Sequence, residues 1–324
     1  MSARVWGPAW HGPAAQRVAI GVDFGTASLA AARWTAQHLA PEAELVLVHV
    51  VELPKVPAYL RGIACEADRV ASRAATMMRV ALTALGDALG SVRCAIEVRS
   101  GRPAEQLHIV AEEHEADLIV IGRSGKRACG VKQLGRTVER LLRRSTIPVL
   151  VAGGTLAAAP RRILAAVDEG ELARDVLEWA RRLAAPGQLE SSGGVTALHV
   201  TSEALSECLG ARGGDAAAVT WLKTRVSECS LDAATTEIAV APGDPRRQIL
   251  VAADAFDSDL IVVGRRGADG AVGTEIGGVA RAALRPARRP VLVIPPARAL
   301  RLVTPLTARH RLASSVVASL PVSI

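Results

Sequence analysis

Six glycines are spaced so that the backbone around them could hold an anion. The pattern Gly-x2-Gly-x9-Gly occurs twice, and its members are Gly122, Gly125 and Gly135 in the first copy and Gly264, Gly267 and Gly277 in the second. Glycine has no Cβ, so backbone N–H groups in such a loop can approach phosphate oxygens closely. A helix that begins after the loop adds partial positive charge at its N terminus. The spacing therefore predicts two loops that could bind phosphate groups.

The two loops differ in the residue after the third glycine and in their charge. That residue is Arg136 in the first copy and Gly278 in the second. The first loop has basic side chains and no carboxylate, with Arg123, Lys126, Arg127, Lys132 and Arg136. In the second loop the charges nearly cancel, with Arg265 and Arg266 against Asp269 and Glu275. Because a basic field attracts anions and a guanidinium binds phosphate strongly, we expect any nucleotide or anion mainly in the first half. The second loop offers only backbone groups on this interpretation.

Each loop is positioned by a short apolar run that indicates a buried strand, at residues 117–121 and 259–263. Ligands of open α/β sheets bind beyond the carboxyl ends of such strands. The other predicted strands are residues 17–23, 45–50, 96–99 and 148–151, and then 162–168, 195–200, 236–240 and 290–294. The predicted helices are residues 28–39, 66–89, 104–115 and 136–143, and then 172–184, 216–230, 246–256 and 278–284. A glycine-rich break at residues 210–214 is expected before the helix 216–230.

Each half is thus predicted to alternate five strands with four helices, which favours parallel pairing through right-handed crossovers. The apolar mass is Ala, Val, Leu and Ile, which suits parallel strands covered by helices. The net charge of +7 comes from scattered arginines, and aromatic residues make up only 2% of the chain. Base-stacking surfaces need aromatic side chains, so nucleic-acid binding is not expected.

The five cysteines form no CxxC pair, and no run approaches the length of a signal peptide or a membrane-spanning helix. We therefore expect reduced thiols and a soluble, cytoplasmic protein. Asp117 and Asp259, which precede buried strands, are interpreted as residues that cap or anchor loops. His49 and His199, at the ends of the second strand of each half, are interpreted as packing residues beneath the loops rather than as catalytic groups.

Taken together, the repeated motifs resemble a universal stress protein domain. They are an Asp after the first strand, His-Val at the end of the second, the glycine pattern after the fourth and a closing Pro-Val-Leu-Val. The resemblance implies two tandem Rossmann-like or flavodoxin-like α/β domains at residues 16–157 and 158–297. It leaves residues 1–15 as an N-terminal extension and residues 298–324 as a tail without a counterpart in the first half.

The resemblance also implies where a nucleotide would lie, because some members of the family bind ATP and others bind none. The matching positions in the first half are Gly21, Asp23, Val50, Ile121, Gly122, Gly125, Gly135, Arg136 and Thr137. Those in the second half are Ala166, Asp168, Val200, Val263, Gly264, Gly267, Gly277, Gly278 and Val279. The ATP-binding members place Ser or Thr directly after the third glycine. Arg136 and Gly278 depart from that pattern, so neither half carries the full ATP signature.

In this family the last strand often pairs across a dimer interface. We therefore expect residues 148–151 and 290–294 to pair within the chain as an intramolecular pseudo-dimer, since apolar edge strands need cover. A homodimer is left open. The leading hypothesis is a stress-response module that binds ATP or another adenine nucleotide, with no metal beyond any Mg²⁺ carried by the nucleotide. The alternatives are a nucleotide-free scaffold of the same fold and a weak ATP-hydrolysing enzyme. No catalytic residues are predicted.

Overall fold

The computed structural model describes residues 15–52, 64–90, 92–124, 134–154, 156–184, 194–202, 211–231, 236–267, 275–285 and 289–296. The elements of the first half are β1 (Arg17–Gly21), α1 (Thr26–Trp34), β2 (Glu44–Val51), α2 (Ala64–Ala88), β3 (Cys94–Ser100), α3 (Pro103–Glu113), β4 (Leu118–Gly122), α4 (Arg136–Arg144) and β5 (Val149–Ala152). Those of the second half are β6 (Arg162–Val167), α5 (Ala173–Leu183), β7 (Gly194–Thr201), α6 (Ala211–Glu228), β8 (Thr236–Pro242), α7 (Pro245–Ala255), β9 (Leu260–Gly264), α8 (Gly278–Leu284) and β10 (Val291–Ile294). The predicted alternation of five strands and four helices in each half is confirmed within the described residues.

Most bounds differ from the predicted ones by a few residues, and two helices differ in more than their end residues. Helix α1 continues through a π-helical turn at Thr35–Leu39, so the predicted helix 28–39 is two consecutive elements. Helix α6 begins at Ala211 and includes Gly213 and Gly214, where a break was predicted, so that prediction was wrong. Glycine costs a helix roughly 1 kcal/mol relative to alanine. We attribute its tolerance here to the burial of the same helix through Leu222, which is completely covered.

The ten strands form one sheet in the order β3-β2-β1-β4-β5-β10-β9-β6-β7-β8. Every neighbouring pair is parallel except β5 and β10, which pair antiparallel with Leu150 opposite Leu292. This antiparallel pair is called the seam below. Because the seam reverses direction, the carboxyl ends of the strands in one half lie at the same edge of the sheet as the amino ends in the other.

Two apolar layers cover the faces of the sheet, and each runs through both halves. One contains Ile20, Leu150 and Leu292 with side chains from α1, α2, α5 and α6. The other contains Val149 and Val293 with side chains from α3, α4, α7 and α8. Successive seam residues point to opposite faces, as strand geometry requires. The seam is therefore part of the core and not a contact between two separate cores.

The loop anchors predicted at Asp117 and Asp259 are confirmed. Asp117 Oδ2 accepts hydrogen bonds from the backbone N–H groups of Gln16 and Arg17 at 2.9 and 3.1 Å. Asp259 Oδ2 accepts from those of Arg161 and Arg162, both at 2.9 Å. Each aspartate thereby ties the start of the fourth strand of its half to the start of the first.

Truncation of one seam leucine should destabilise the whole chain. Leu292→Ala removes a side chain that is completely buried in the layer shared by both halves, and we expect a loss of about 2–5 kcal/mol. Met77→Ala is the control, because Met77 is 61% exposed and should change stability by no more than about 0.5 kcal/mol. Urea unfolding followed by circular dichroism measures both variants. Equal midpoints for the two variants would contradict the central role of the seam.

Candidate functional site

In the second half, a concave pocket with a cavity volume of about 110 Å³ opens beyond the carboxyl ends of the strands. All nine positions implied there by the resemblance line it, namely Ala166, Asp168, Val200, Val263, Gly264, Gly267, Gly277, Gly278 and Val279. Its floor also includes the apolar side chains of Val176, Leu198 and Ile249. The structure therefore brings these residues of the sequence repeat together around one space.

The carboxylate of Asp168 lies at the glycine loop of this pocket. The residue follows directly after β6, and its Oδ1 accepts a hydrogen bond from the Gly170 N–H at 3.0 Å. Its Oδ2 lies only 2.6 Å from the place where a Cβ on Gly267 would sit. A side chain at 267 would therefore displace the Asp168 carboxylate from its present position.

The other two glycines of the second loop lie against backbone atoms instead. A Cβ on Gly264 would come within 3.0 Å of the Arg266 carbonyl oxygen. A Cβ on Gly277 would come equally close to the Arg265 carbonyl oxygen, which accepts the Gly277 N–H at 2.8 Å. That hydrogen bond closes the loop just before α8 begins.

A guanidinium that the sequence interpretation missed lies against the last glycine position. A Cβ on Gly278 would be 2.8 Å from Nε of Arg246 and 3.3 Å from its Cζ. Arg246 is exposed in the first turn of α7, where its N–H donates to Oδ1 of the N-cap residue Asp244 at 3.0 Å. The prediction that this loop offers only backbone groups was therefore wrong, because a side chain from another helix reaches it.

In the first half, the positions equivalent to Gly278 and Arg246 have the opposite residue types, an arginine at the first and a small residue at the second. There the residue after the third glycine is Arg136, and the repeat equivalent of Arg246 is the buried Ala104. Alignment of Gly-Arg-Pro-Ala with Gly-Asp-Pro-Arg at the starts of α3 and α7 carries this signal in the sequence. Each half therefore has one arginine and one small residue at these two positions.

The described residues of the first-half site are all at the predicted edge, whereas Gly125 lies outside the described part of the chain. The positions placed by the structure are Gly21, Asp23, Val50, Ile121, Gly122, Gly135, Arg136 and Thr137. Asp23 Oδ1 accepts hydrogen bonds from the Gly25 N–H at 2.9 Å and from the Ser28 hydroxyl at 2.6 Å. The second half has Ala173 in place of Ser28, so the equivalent residue there has no hydroxyl.

Two glycines of the first half lie close against helices. A Cβ on Gly21 would lie 2.9 Å from Leu107 Cδ2 of α3. A Cβ on Gly122 would lie 2.9 Å from backbone atoms of Ala27 and Ser28 in α1. Both strands are therefore approached closely by helices, independently of any ligand.

The two strand-end histidines occupy equivalent positions. The ring Nδ1 of His49 lies 2.7 Å from the Val22 carbonyl oxygen, and that of His199 lies 3.0 Å from the Val167 carbonyl oxygen. Because a carbonyl oxygen can only accept, Nδ1 carries the proton in each. His49 packs on Phe24 and His199 on Trp221, with ring centroids 5.3 and 4.8 Å apart. These contacts support the interpretation of both histidines as packing residues, which hold the backbone at the end of the first strand of each half.

Arg123 and Arg265 do not contribute to the loop charge in the way that was predicted. Both are buried, and their side chains donate to backbone carbonyls of the opposite half, at α8 and α4 respectively. Burial, and after it the nearby charge of Arg266, lowers the pKa of Arg265 to about 10. The charge count that favoured the first half therefore loses one arginine from each loop. Lys126, Arg127 and Lys132 of the first loop lie outside the described residues.

Other kinds of site have little support in the part of the chain that the structure describes. No three His, Cys, Asp or Glu side chains there gather closely enough to hold a metal ion. None of its helices combines the length and apolar character needed to cross a membrane. Cys94 and Cys229 are free thiols, and burial raises the pKa of Cys229 to about 11.

The fold and the glycine-lined pocket define a tandem α/β protein with a glycine-rich loop at the carboxyl ends of the strands in each half. The sequence profile of the Universal stress protein family matches residues 14–153 and again residues 160–295. The chain belongs to the universal stress protein family.

Relatives and solved structures agree with this membership. Universal stress protein Rv2005c of Mycobacterium tuberculosis is 28% identical over 295 residues, which cover 85% of this chain and 96% of that protein. Universal stress protein Mb2028c of Mycobacterium bovis matches to the same extent. The crystal structure of a universal stress protein from Archaeoglobus fulgidus has a TM-score of 0.59 at 19% identity, with 87% of this chain and 96% of that chain covered. At that identity, the structural likeness supports the fold alone.

Two glycine-to-alanine changes should have opposite effects on stability. Gly122→Ala places a Cβ against the α1 backbone and should cost about 1–3 kcal/mol. Gly86→Ala, within α2, meets its nearest neighbour, Cys94 Cβ, at an ordinary 3.5 Å, so it should be neutral or stabilise by up to about 1 kcal/mol. Thermal and urea unfolding without ligand compare the two. Equal destabilisation by both changes would refute the packing role of Gly122.

Proposed function

We propose that this universal stress protein binds an adenine nucleotide in the pocket of its second half. The observation that carries the proposal is the Arg246 guanidinium over Gly278, at the position where ATP-binding members of the family are expected to have a hydroxyl. A guanidinium is a strong phosphate partner and can replace a neutral donor at that place. On this proposal the Arg246 side chain of α7 replaces the hydroxyl that Gly278 lacks.

The charges and the apolar floor of the pocket suit a nucleotide. Asp168 supplies a carboxylate that can accept from ribose hydroxyls or an adenine amino group. Val176, Leu198 and Ile249 offer apolar surface for a base. Arg266 lines the pocket, and the Arg246 guanidinium lies against its lining residue Gly278, so two cations are available near this end of the loop for phosphates. Most ligand pockets combine an apolar lining with a few such polar groups.

The seam gives the two halves the relation of two subunits joined in one chain. We interpret the tandem protein as an intramolecular pseudo-dimer whose two loops lie at opposite edges of one sheet. The expected preference for the first half stays a prediction, because much of that loop lies outside the described residues. The second-half pocket is the better supported site in the described part of the chain.

Removal of the Arg246 guanidinium should weaken binding of the phosphates specifically. We expect Arg246→Ala to reduce the affinity of the full chain for Mg²⁺-ATP about tenfold, as the loss of one charge-assisted hydrogen bond would. Its affinity for adenosine should not change, because adenosine has no phosphate. The matched control is Arg247→Ala, which removes the same charge from the next exposed residue of α7. Isothermal titration calorimetry measures the affinity of each variant for Mg²⁺-ATP and for adenosine. An equal loss of ATP affinity in the two variants would indicate a general charge effect.

A second pair of variants tests which half binds. Gly267→Ala forces the Asp168 carboxylate out of its place and should weaken ATP binding at least about fivefold if the second half is the site. Arg136→Ala should then have little effect. The opposite result, a loss only in Arg136→Ala, would return the site to the first half. Native mass spectrometry of freshly purified protein addresses the scaffold alternative, because a bare protein that also fails to take up added ATP has no nucleotide site.

A further inference from the structure

Two buried arginines cross the seam in a reciprocal way. Arg265, 4% exposed, donates from Nη1 to the carbonyl oxygens of Leu142 at 3.1 Å and Ser145 at 2.8 Å, at the C-terminal end of α4. Arg123, 6% exposed, donates from Nε to the Leu284 carbonyl oxygen at 3.3 Å and from Nη2 to that of Arg285, at the C-terminal end of α8. These arginines are equivalent in the repeat, and each binds the other half.

The direction of the strands explains how the two arginine side chains reach the opposite half. Each arginine follows directly after the fourth strand of its half, at the carboxyl edge. The antiparallel seam places this edge beside the amino edge of the other half, where the helix that precedes the closing strand ends. Helix C termini present unpaired carbonyls with partial negative charge, so a guanidinium is a favourable partner there.

The backbone of the same arginines closes the glycine loops. The Arg265 N–H donates to Ile294 of the closing strand at 2.7 Å, and its carbonyl oxygen accepts the Gly277 N–H at 2.8 Å. In the first half, Arg123 makes the equivalent bonds with Ala152 at 3.0 Å and Gly135 at 3.1 Å. One residue in each half therefore contacts its own loop through the backbone and the opposite half through the side chain.

The helix that receives each arginine begins at the other glycine loop. Helix α4 starts directly after Gly135 and is nine residues long, about 13 Å at the rise of an α-helix. A shift of the second loop at Gly277 would therefore act on Arg265, through Arg265 on the C terminus of α4, and through α4 on Gly135. Arg123 and α8 offer the same connection in reverse.

The contact is costly to disturb. Burial lowers the pKa of Arg265, but with a value of about 10 the guanidinium stays charged at neutral pH. Among the described residues its hydrogen-bond acceptors are backbone carbonyls, and its Nε has no partner. Loss of these carbonyls would leave a buried charge without compensation, so the side chain and the end of α4 have to move together.

We propose that Arg123 and Arg265 form a reciprocal latch that couples the two glycine loops, so that a conformational change in either loop alters the opposite half. This coupling does not depend on which ligand a loop binds. Reciprocity is a thermodynamic requirement of any such linkage between two sites. The latch would make the tandem chain respond as one unit to a change in one loop.

The test perturbs one loop without ligand and measures the other half. Gly277→Ala places a Cβ 3.0 Å from the Arg265 carbonyl oxygen and so displaces the arginine backbone. We expect amide hydrogen exchange of a peptide covering residues 138–146 in the full chain to become about fivefold faster, because α4 loses part of its C-terminal cap. Gly86→Ala is the control and should leave this peptide unchanged.

A double-mutant cycle separates coupling from simple loss of the cap. Arg265→Met alone should raise exchange at residues 138–146, and Gly277→Ala added to it should cause no further increase there. If Arg265→Met does not fold, Arg265→Lys serves as the background, because it replaces the guanidinium by a single ammonium group. Gly277→Ala should then increase exchange at residues 138–146 by less than it does when Arg265 is present. Equal increments from Gly277→Ala with and without Arg265, or no change at residues 138–146 in the single variant, would overturn the latch. Neither outcome bears on nucleotide binding, which is measured separately.

Discussion

The antiparallel pairing of β5 with β10 is the constraint on which the rest of the molecule depends. Each half alone would end in a four-residue strand of buried apolar side chains with one edge unpaired. Such an edge invites pairing with another chain. By pairing them with each other, the protein merges two five-stranded units into one sheet and two continuous apolar layers. The cores of the halves are therefore not independent.

The same pairing sets the geometry of both candidate sites. Parallel sheets hold ligands beyond the carboxyl ends of their strands, and the seam puts those ends at opposite edges in the two halves. Two ligands could therefore not share a surface in this chain. What lies next to each glycine loop is the amino edge of the other half, with the C terminus of a helix. This neighbourhood explains why a buried arginine after the fourth strand finds carbonyl acceptors rather than a carboxylate.

The fold could be predicted from the sequence because its signals are local. Apolar runs, proline at helix starts and a repeated glycine spacing each act within a few residues, and two copies support each other. The anchoring roles of Asp117 and Asp259 followed from their positions directly before the buried strands. The destinations of Arg123, Arg265 and Arg246 could not be predicted in this way. The position of a residue in a loop predicts that its side chain lies near the carboxyl edge of the sheet. The direction of that side chain depends on the seam, or on a helix that is distant in the sequence.

The two halves place their arginine at different positions, Arg136 in the first and Arg246 in the second. This difference bears on whether the second loop binds a ligand or is only an inherited structure. If that loop had no ligand, nothing would require a guanidinium near Gly278. Arg246 is exposed, its neighbour Asp244 already caps α7, and the helix would be as stable with alanine, the type at the equivalent position Ala104. The guanidinium nevertheless lies against Gly278, one of four glycines that line the pocket, and the first half has its own arginine, Arg136, at the equivalent position. Opposite solutions that each bring one cation to the end of the glycine loop favour an anionic ligand over inherited geometry alone.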